Sequence, residues 1–307
     1  MQQLTECPVC KSAQISYHSK VSDRHYGIKG EFTLNNCNAC KLVFLNPMYN
    51  DQELMKFYPE ESYYAYHMNF DETKKPAGFI KSILKKIYYF INPERNKKFF
   101  KDPGSILDIG CGNGWLLYKL KQKGWNVKGV EPSSVAAKIG NDAGINIFNG
   151  ILLDTKFNDA EFDVVHSNHS FEHIYNPNEV LDEIYRILKK GGRLFIGIPN
   201  YNGINSKIAK KYWYYLGAPV HTYNYSPGNI KLLLQHHNFE VQEINYVSGT
   251  AGILGSLQIY LNRKNGKKSD EGSVVNSRVL RFFSRFIAKL ENLCRTGDCI
   301  EVIAVKR

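Results

Sequence analysis

The sequence predicts an open, doubly wound α/β sheet with a small ribbon at its N-terminal end. Three observations carry that reading. Apolar strand patterns and helical patterns alternate from residue 105 to residue 198, as parallel strands joined by crossover helices require. A glycine-rich turn, Gly110-Cys111-Gly112-Asn113-Gly114, separates the first of those strands from its helix. Ahead of both, Cys7-Pro-Val-Cys10 and Cys37-Asn-Ala-Cys40 are CxxC pairs about one ribbon's length apart.

The two pairs are separated by short strand patterns at 14–17 and 31–34. Two such knuckles supply four thiolates, which closes a tetrahedral zinc site and leaves no open position for chemistry. Cys7, Cys10, Cys37 and Cys40 are therefore the candidate ligands of a structural Zn2+. Asp51 is the expected cap of a short helix that runs to Tyr58, and a tyrosine-rich segment follows, with Tyr63, Tyr64 and Tyr66. Residues 79–91 read as an amphipathic helix, with Ile80, Ile83, Leu84 and Ile87 opposite Lys81, Lys85 and Lys86.

Strands are then expected at 105–108, 127–131, 145–148, 162–167 and 193–198, with helices at 114–123, 133–143 and 177–190. Ser226-Pro227 opens a further helix, as a cap followed by proline does. The last strands are expected at 239–247 and 300–306. Between them, 248–297 reads as an insertion that walls the acceptor pocket, with a second basic amphipathic stretch at 278–290. The expected domains are a ribbon over 1–48, a lead-in over 49–100 and the α/β domain over 101–307.

Glycine lets a backbone turn sharply beside a ligand, and the helix N-terminus after it offers free N–H groups. Asp108 puts a carboxylate where a phosphate would otherwise sit, which suits a cationic or zwitterionic ligand. Glu131, 23 residues on and at the end of the next strand, stands where an acidic residue accepts bonds from both ribose hydroxyls of an adenosine.

These residues resemble the class I S-adenosylmethionine-dependent methyltransferases, and later motifs extend the resemblance. Phe162-Asp163-Val164-Val165, Ser170-Phe171-Glu172-His173-Ile174 and Leu188-Lys189-Lys190-Gly191-Gly192-Arg193-Leu194 follow in the family's order. The resemblance implies a Rossmann-like, seven-stranded methyltransferase sheet and S-adenosyl-L-methionine as cofactor. It implies Asp108, Gly110, Cys111, Gly112, Asn113 and Gly114 around the methionine end, and Glu131 on the ribose. Pro132, Ser133 and Ile151 would lie by the adenine, and Asn168 would offer its carbonyl. The cysteine pairs, Leu42-Val43-Phe44 and the tyrosine-rich lead-in are similar to methyltransferases that tailor sugars and bacterial surface glycans. In those, the tyrosine segment is a lid, which makes Tyr63, Tyr64 and Tyr66 lid candidates.

Methyl transfer needs a base only when the nucleophile arrives protonated, as a sugar hydroxyl does; histidine suits that task near neutral pH. His169 and His173 flank Glu172 just after the fourth strand, at the end where open α/β sheets bind ligands. His221, in Pro219-Val-His-Thr-Tyr-Asn-Tyr-Ser226, resembles the family's segment before the helix that lines the acceptor site. Glu172 would orient His173 or bind acceptor hydroxyls.

The expected reaction is methylation of a sugar hydroxyl or amine on a nucleotide- or lipid-linked glycan or related small molecule. O- or N-methylation is expected because sugar C-methyltransferases with a similar start carry a further C-terminal domain. A formal net charge of +11 over 307 residues favours acidic partners, among them a phosphate-bearing acceptor. An RNA methyltransferase is the alternative, since a ribbon with basic charge also suits nucleic acid; few of the basic residues lie in the ribbon, however. A non-catalytic cofactor-binding scaffold is the third reading. The seven cysteines pair unevenly and no signal-peptide pattern opens the chain, so a cytoplasmic protein is expected. Its basic amphipathic helices suit peripheral contact with the inner membrane face. The oligomeric state stays open.

Overall fold

The computed structural model describes residues 1–57, 99–100, 102–265 and 267–307. The tyrosine-rich segment and the helix expected over 79–91 lie outside the described residues. The chain divides into two compact units, Tyr64–Ile151 and Met1–Tyr63 with Leu152–Arg307.

In the larger unit the cysteines head a small antiparallel sheet. β1 (Ile15–Val21), β2 (Phe32–Cys37) and β3 (Val43–Leu45) form a meander that buries Leu34, Val43, Phe44 and Leu45. The expected ribbon receives a fourth strand from much later in the chain: Val43 pairs with Asn224 and Phe44 with Tyr223. α1 (Asp51–Met55) follows. The sequence predicts Asp51 as its cap, but Asn50 takes that place. The Asn50 side chain accepts from the Glu53 N–H at 2.9 Å, and Glu53 Oε2 accepts from the Asn50 N–H at 3.0 Å. This reciprocal box leaves Asp51 in the first turn, where the helix dipole favours a carboxylate.

In the unit Tyr64–Ile151, β4 (Ser105–Ile109), β5 (Asn126–Glu131) and β6 (Asn146–Asn149) are parallel, with β5 in the middle. Ile106 and Leu107 are adjacent and both fully buried, as in a strand covered on its two faces. α2 (Trp115–Lys121) and α3 (Ser134–Asp142) make the crossovers, burying Leu117 and Leu120, and Ala136 and Ala137.

The larger unit holds β7 (Phe162–Asn168), α4 (Pro177–Ile187) and β8 (Leu188–Pro199). α4 buries Val180, Leu181, Ile184 and Ile187 on one face and stops three residues before the expected end. Leu188 turns extended and pairs with Phe162, so the strand ladder overrides the last helical turn. α5 (Ile204–Ala209), β9 (Tyr223–Asn224), α6 (Pro227–His236) and β10 (Phe239–Val247) follow. The expected insertion folds as α7 (Thr250–Asn262), α8 (Ser273–Asn276) and α9 (Arg278–Leu293) before the closing β11 (Cys299–Lys306). β7 and β8 are parallel, whereas β11 runs antiparallel to both β8 and β10. The architecture is thus α/β and Rossmann-like, with three parallel strands in one unit and four of mixed direction in the other.

α7 holds no charged residue, yet its buried face is partly polar. Its Gln258 and Asn262 are buried and bonded to each other at 2.9 Å, and Asn262 Nδ2 donates to the carbonyls of Lys268 and Glu271. No helix among the described residues is long and apolar enough to cross a membrane.

The cap assignment is open to a direct check. Asn50→Ala should lower stability by about 1 kcal/mol, and Asp51→Ala by less than half of that, read from urea unfolding midpoints. Equal losses would return the cap to Asp51.

Candidate functional site

The glycine turn after β4 is shaped by positive φ angles at Gly110, Gly112 and Gly114, of 70°, 56° and 76°. Gly114 caps α2 in the left-handed conformation, and a Cβ there would stand 2.9 Å from Ile147 Cδ1. The Gly110 N–H is anchored to the Val130 carbonyl at 2.8 Å. The Cys111 sulfur fills space over β5, since a Cβ on Gly129 would lie 2.5 Å from it. Burial, together with the charges of Asp108 and Glu131, keeps that thiol protonated.

Glu131 is 2% exposed, and its carboxylate accepts the Gly112 N–H at 2.8 Å and the Ser133 N–H at 2.9 Å. A carboxylate has about four acceptor positions, so lone pairs remain for the two hydroxyls of a ribose. Ser133 also caps α3 through a 3.3 Å bond from the Ala136 N–H. Asp108 and Asn113 are buried beside the turn, and Ile151 is half-buried just after β6. The loop therefore fits the cofactor assigned to it. One contributor escapes the sequence reading. Asn149 Nδ2 donates to the carbonyls of Glu131 and Pro132 at 3.0 Å, fixing the strand end that carries Glu131.

In the larger unit, Asn168 ends β7 with its side chain laid over Gly197, where a Cβ would meet its Oδ1 at 2.1 Å. His169 then adopts φ +53° and donates its N–H to the Gly197 carbonyl at 2.8 Å. The next turn brings Glu172 inward. It is 1% exposed, and neither carboxylate oxygen has a hydrogen-bond partner among the described residues. His169 Nδ1 lies 3.5 Å from Glu172 Oε1.

Two of the four candidate catalytic side chains are fixed by bonds to nearby backbone carbonyls. His173 Nδ1 binds the Val220 carbonyl and His221 Nδ1 the Tyr215 carbonyl, both at 2.8 Å. The two rings meet edge-on with centroids 4.6 Å apart. A carbonyl only accepts, so each Nδ1 donates, and each Nε2 is the ring atom turned away from that bond. A ligand atom from each of Glu172, His173 and His221 lies within 4.8 Å of the others. Gly217, at φ +54°, makes room for this, because a Cβ there would stand 2.4 Å from His221 Cγ.

Charge is distributed unevenly in the cluster. Burial opposes ionisation of Glu172, but the His169 contact, with His173 and His221 nearby, brings its carboxyl down to about 2. Burial also opposes charge on His169, which is nevertheless pushed up by Cys299 and Glu172. Burial keeps Cys299 a thiol, so Glu172 is the partner that holds the proton on His169. Burial, then the His173 ring, pushes His221 down to about 3. The sequence ranks His173 and His221 alike; the structure separates them, because a group that weakly basic stays neutral.

The cysteine cluster closes as the spacing predicts. Cys7 and Cys40 sulfurs are 3.5 Å apart, as are those of Cys10 and Cys37, and all four lie within 4.8 Å of one another. Zinc–sulfur bonds of about 2.3 Å in a tetrahedron give sulfur–sulfur edges of about 3.8 Å, inside that range. Disulfides, at about 2.05 Å, are excluded. The two knuckles repeat one turn: Lys11 donates to Cys7 O and Lys41 to Cys37 O, both at 2.9 Å with positive φ. The Cys40 thiol, above the opposing effect of burial, holds the Cys7 thiol down to about 5, so a thiolate is available.

Comparisons with known proteins follow the same lines. A family model described as a methyltransferase domain matches residues 83–244. A ubiquinone biosynthesis O-methyltransferase of Pseudomonas fluorescens (strain Pf0-1) is 31% identical over 104 residues, 32% of this chain and 45% of that one. One from Rickettsia bellii (strain OSU 85-389) is 27% identical over 181 residues, 52% of this chain and 74% of that one. A crystal structure of a SAM-dependent methyltransferase from Archaeoglobus fulgidus aligns with a TM-score of 0.48 and 22% identity, over 74% of this chain and 94% of that one. The chain spans about half the length of the first curated relatives it matches.

The ion pair has a pH signature. Glu172 is depressed below its ordinary value of 4.5, so its contribution is present above that pH and lost as pH falls towards 2. His169 is raised above 6.5, so its contribution is complete below that pH and lost as pH rises past it. His169→Gln should therefore cost most between about pH 4.5 and 6.5. The cost there is about 1 kcal/mol, allowing for water at the exposed third of the ring. Urea midpoints of both proteins across pH check this; a difference independent of pH would refute the pair.

Proposed function

Since the chain belongs to the methyltransferase-domain family whose model spans residues 83–244, we propose that it is an S-adenosylmethionine-dependent O-methyltransferase. The observation that supports this most is the pair of half-buried imidazoles beside the ionised Glu172, each with its Nδ1 tied to a carbonyl and their centroids 4.6 Å apart. When bound, the cofactor supplies an electrophilic methyl group; the residues of this chain hold the reactants and move the proton. Glu131 receives the ribose hydroxyls, and the Gly110–Gly114 turn leaves room for the methionine end.

His173 is the base. His173 would take the proton of the acceptor hydroxyl at Nε2, and the adjacent Glu172 carboxylate would stabilise the imidazolium so formed. His221, held neutral, accepts a hydrogen bond from a second acceptor hydroxyl and sets its orientation. The acceptor we favour is a sugar hydroxyl on a nucleotide- or lipid-linked glycan. The cysteine ribbon and the +11 charge support an acidic small molecule, and the resemblance to O-methyltransferases of another substrate class supports a hydroxyl. Cys7, Cys10, Cys37 and Cys40 hold a structural zinc ion.

A second reading has its own observation. A histidine that donates Nδ1–H to a backbone carbonyl is also oriented to ligate through Nε2, and neither Glu172 carboxylate oxygen has a hydrogen-bond partner among the described residues. Glu172, His173 and His221 are then the ligands of a divalent cation that positions the acceptor oxygens.

The test is transfer of labelled methyl to pooled nucleotide sugars, lipid-linked glycans and total RNA. His173→Ala should lower transfer about a hundredfold with cofactor binding intact; label confined to RNA, or wild-type rates in His173→Ala, would overturn the proposal. Loss of activity on chelation, restored by a divalent cation, would favour the second reading. Native mass spectrometry should show one zinc per chain in the wild type and none in Cys40→Ser, with several kcal/mol of stability lost.

A further inference from the structure

α9 is turned the wrong way for a helix that closes a core. Its buried residues are Ser284, Ala288 and Glu291, all small or polar. Its outward face is Val279, Phe282, Phe283, Phe286, Ile287 and Leu290, 47–65% exposed. These recur at i, i+3, i+4, i+7, i+8 and i+11, one continuous stripe on an α-helix. Arg278, Arg281, Arg285 and Lys289 recur at i, i+3, i+7 and i+11 and run along one border of that stripe, all exposed.

The orientation is fixed from below. Glu291 Oε1 accepts from Asn205 Nδ2 at 2.9 Å, and turning the helix over would bury its cations instead. α9 packs against α7, which continues the apolar surface with Leu257, Tyr260 and Leu261, 43–48% exposed. The Arg263 guanidinium stacks over Tyr260 at 3.9 Å. An apolar surface of this extent is seldom left bare by a soluble monomer.

We infer that the outward face of α9, with the adjoining face of α7, docks on an anionic lipid surface. Charge selects that occupant. Residues 248–297 hold nine Lys or Arg against three Asp or Glu, and the one carboxylate on α9, Glu291, is buried. A second copy of this chain would set basic border against basic border. An anionic bilayer instead receives the aromatic stripe among its acyl chains while the Arg and Lys border stays at the headgroups. Contact of this kind lies in the membrane plane, and it does not depend on what the catalytic site methylates.

Flotation of the full chain with vesicles tests the inference. The wild type should float with vesicles of equal parts phosphatidylglycerol and phosphatidylcholine, and not with pure phosphatidylcholine. F283D/F286D and R285E/K289E should each bind at least about tenfold more weakly, and added salt should weaken the wild type. These residues are exposed, so both variants should keep the wild-type melting temperature and cofactor affinity. No flotation with the anionic vesicles, or equal flotation with both kinds, would overturn the inference. So would a dimer in sedimentation velocity that F283D/F286D dissociates, which would assign the face to a second copy.

Discussion

A buried carboxylate must find compensating charge, and much of the larger unit is arranged around that need at Glu172. Almost no water reaches it, so its charge is sustained chiefly by the imidazole of His169, with His173 and His221 beside it. His169 is set by the end of β7, where its positive φ and its bond to Gly197 aim the ring at the carboxylate. His173 and His221 are locked by carbonyls of the 215–220 segment. A charge at that depth costs more to leave unpaired than one hydrogen bond returns, which is why the ring of His169 is held against it.

The same loop links the cluster to the cysteine ribbon. His221 is followed by Thr222, whose N–H and hydroxyl both bond to the Glu172 carbonyl at 2.9 Å, and whose own carbonyl accepts from Leu45 at 2.9 Å. Tyr223 and Asn224 then pair with β3 as a strand. The cysteine ribbon is therefore more than an appendage that supplies stability. It is one wall of the frame that holds His221, and ordering of the four thiols about an ion would stiffen that frame. A four-thiolate site would leave no catalytic position open at its metal, yet it would still fix the backbone that carries His221.

The cofactor loop solves a different problem, which is close approach. Gly112 and Ser133 give their N–H groups to Glu131, so the acidic side chain is oriented before any ligand arrives. Gly129 and Gly140 leave space for Cys111 and for the Asn113 backbone, which lets α2, α3 and β5 crowd around the turn. Preorganisation of this kind lowers the ordering cost of binding.

Local chemistry was legible from the chain alone. The alternation of patterns set the α/β class, the glycines located the turn, and the CxxC spacing located four thiols that the structure brings together. Each of these signals depends on residues close in sequence. The signals that failed were decided by distant partners. Helix α4 yields its last turn to strand pairing with Phe162, and the cap moves to Asn50 because Glu53 reaches back to it. The fourth ribbon strand comes from residues 223–224, which carry no local sign of it. The two histidines look equivalent in the sequence and differ in the fold, since burial and a neighbouring ring suppress the basicity of His221. The pattern at 278–290 shows that an amphipathic helix exists, but not which face turns inward. Only the packing of Ser284, Ala288 and Glu291 against the body decides that. Periodicity is a property of one segment, whereas burial and charge balance belong to everything that segment touches.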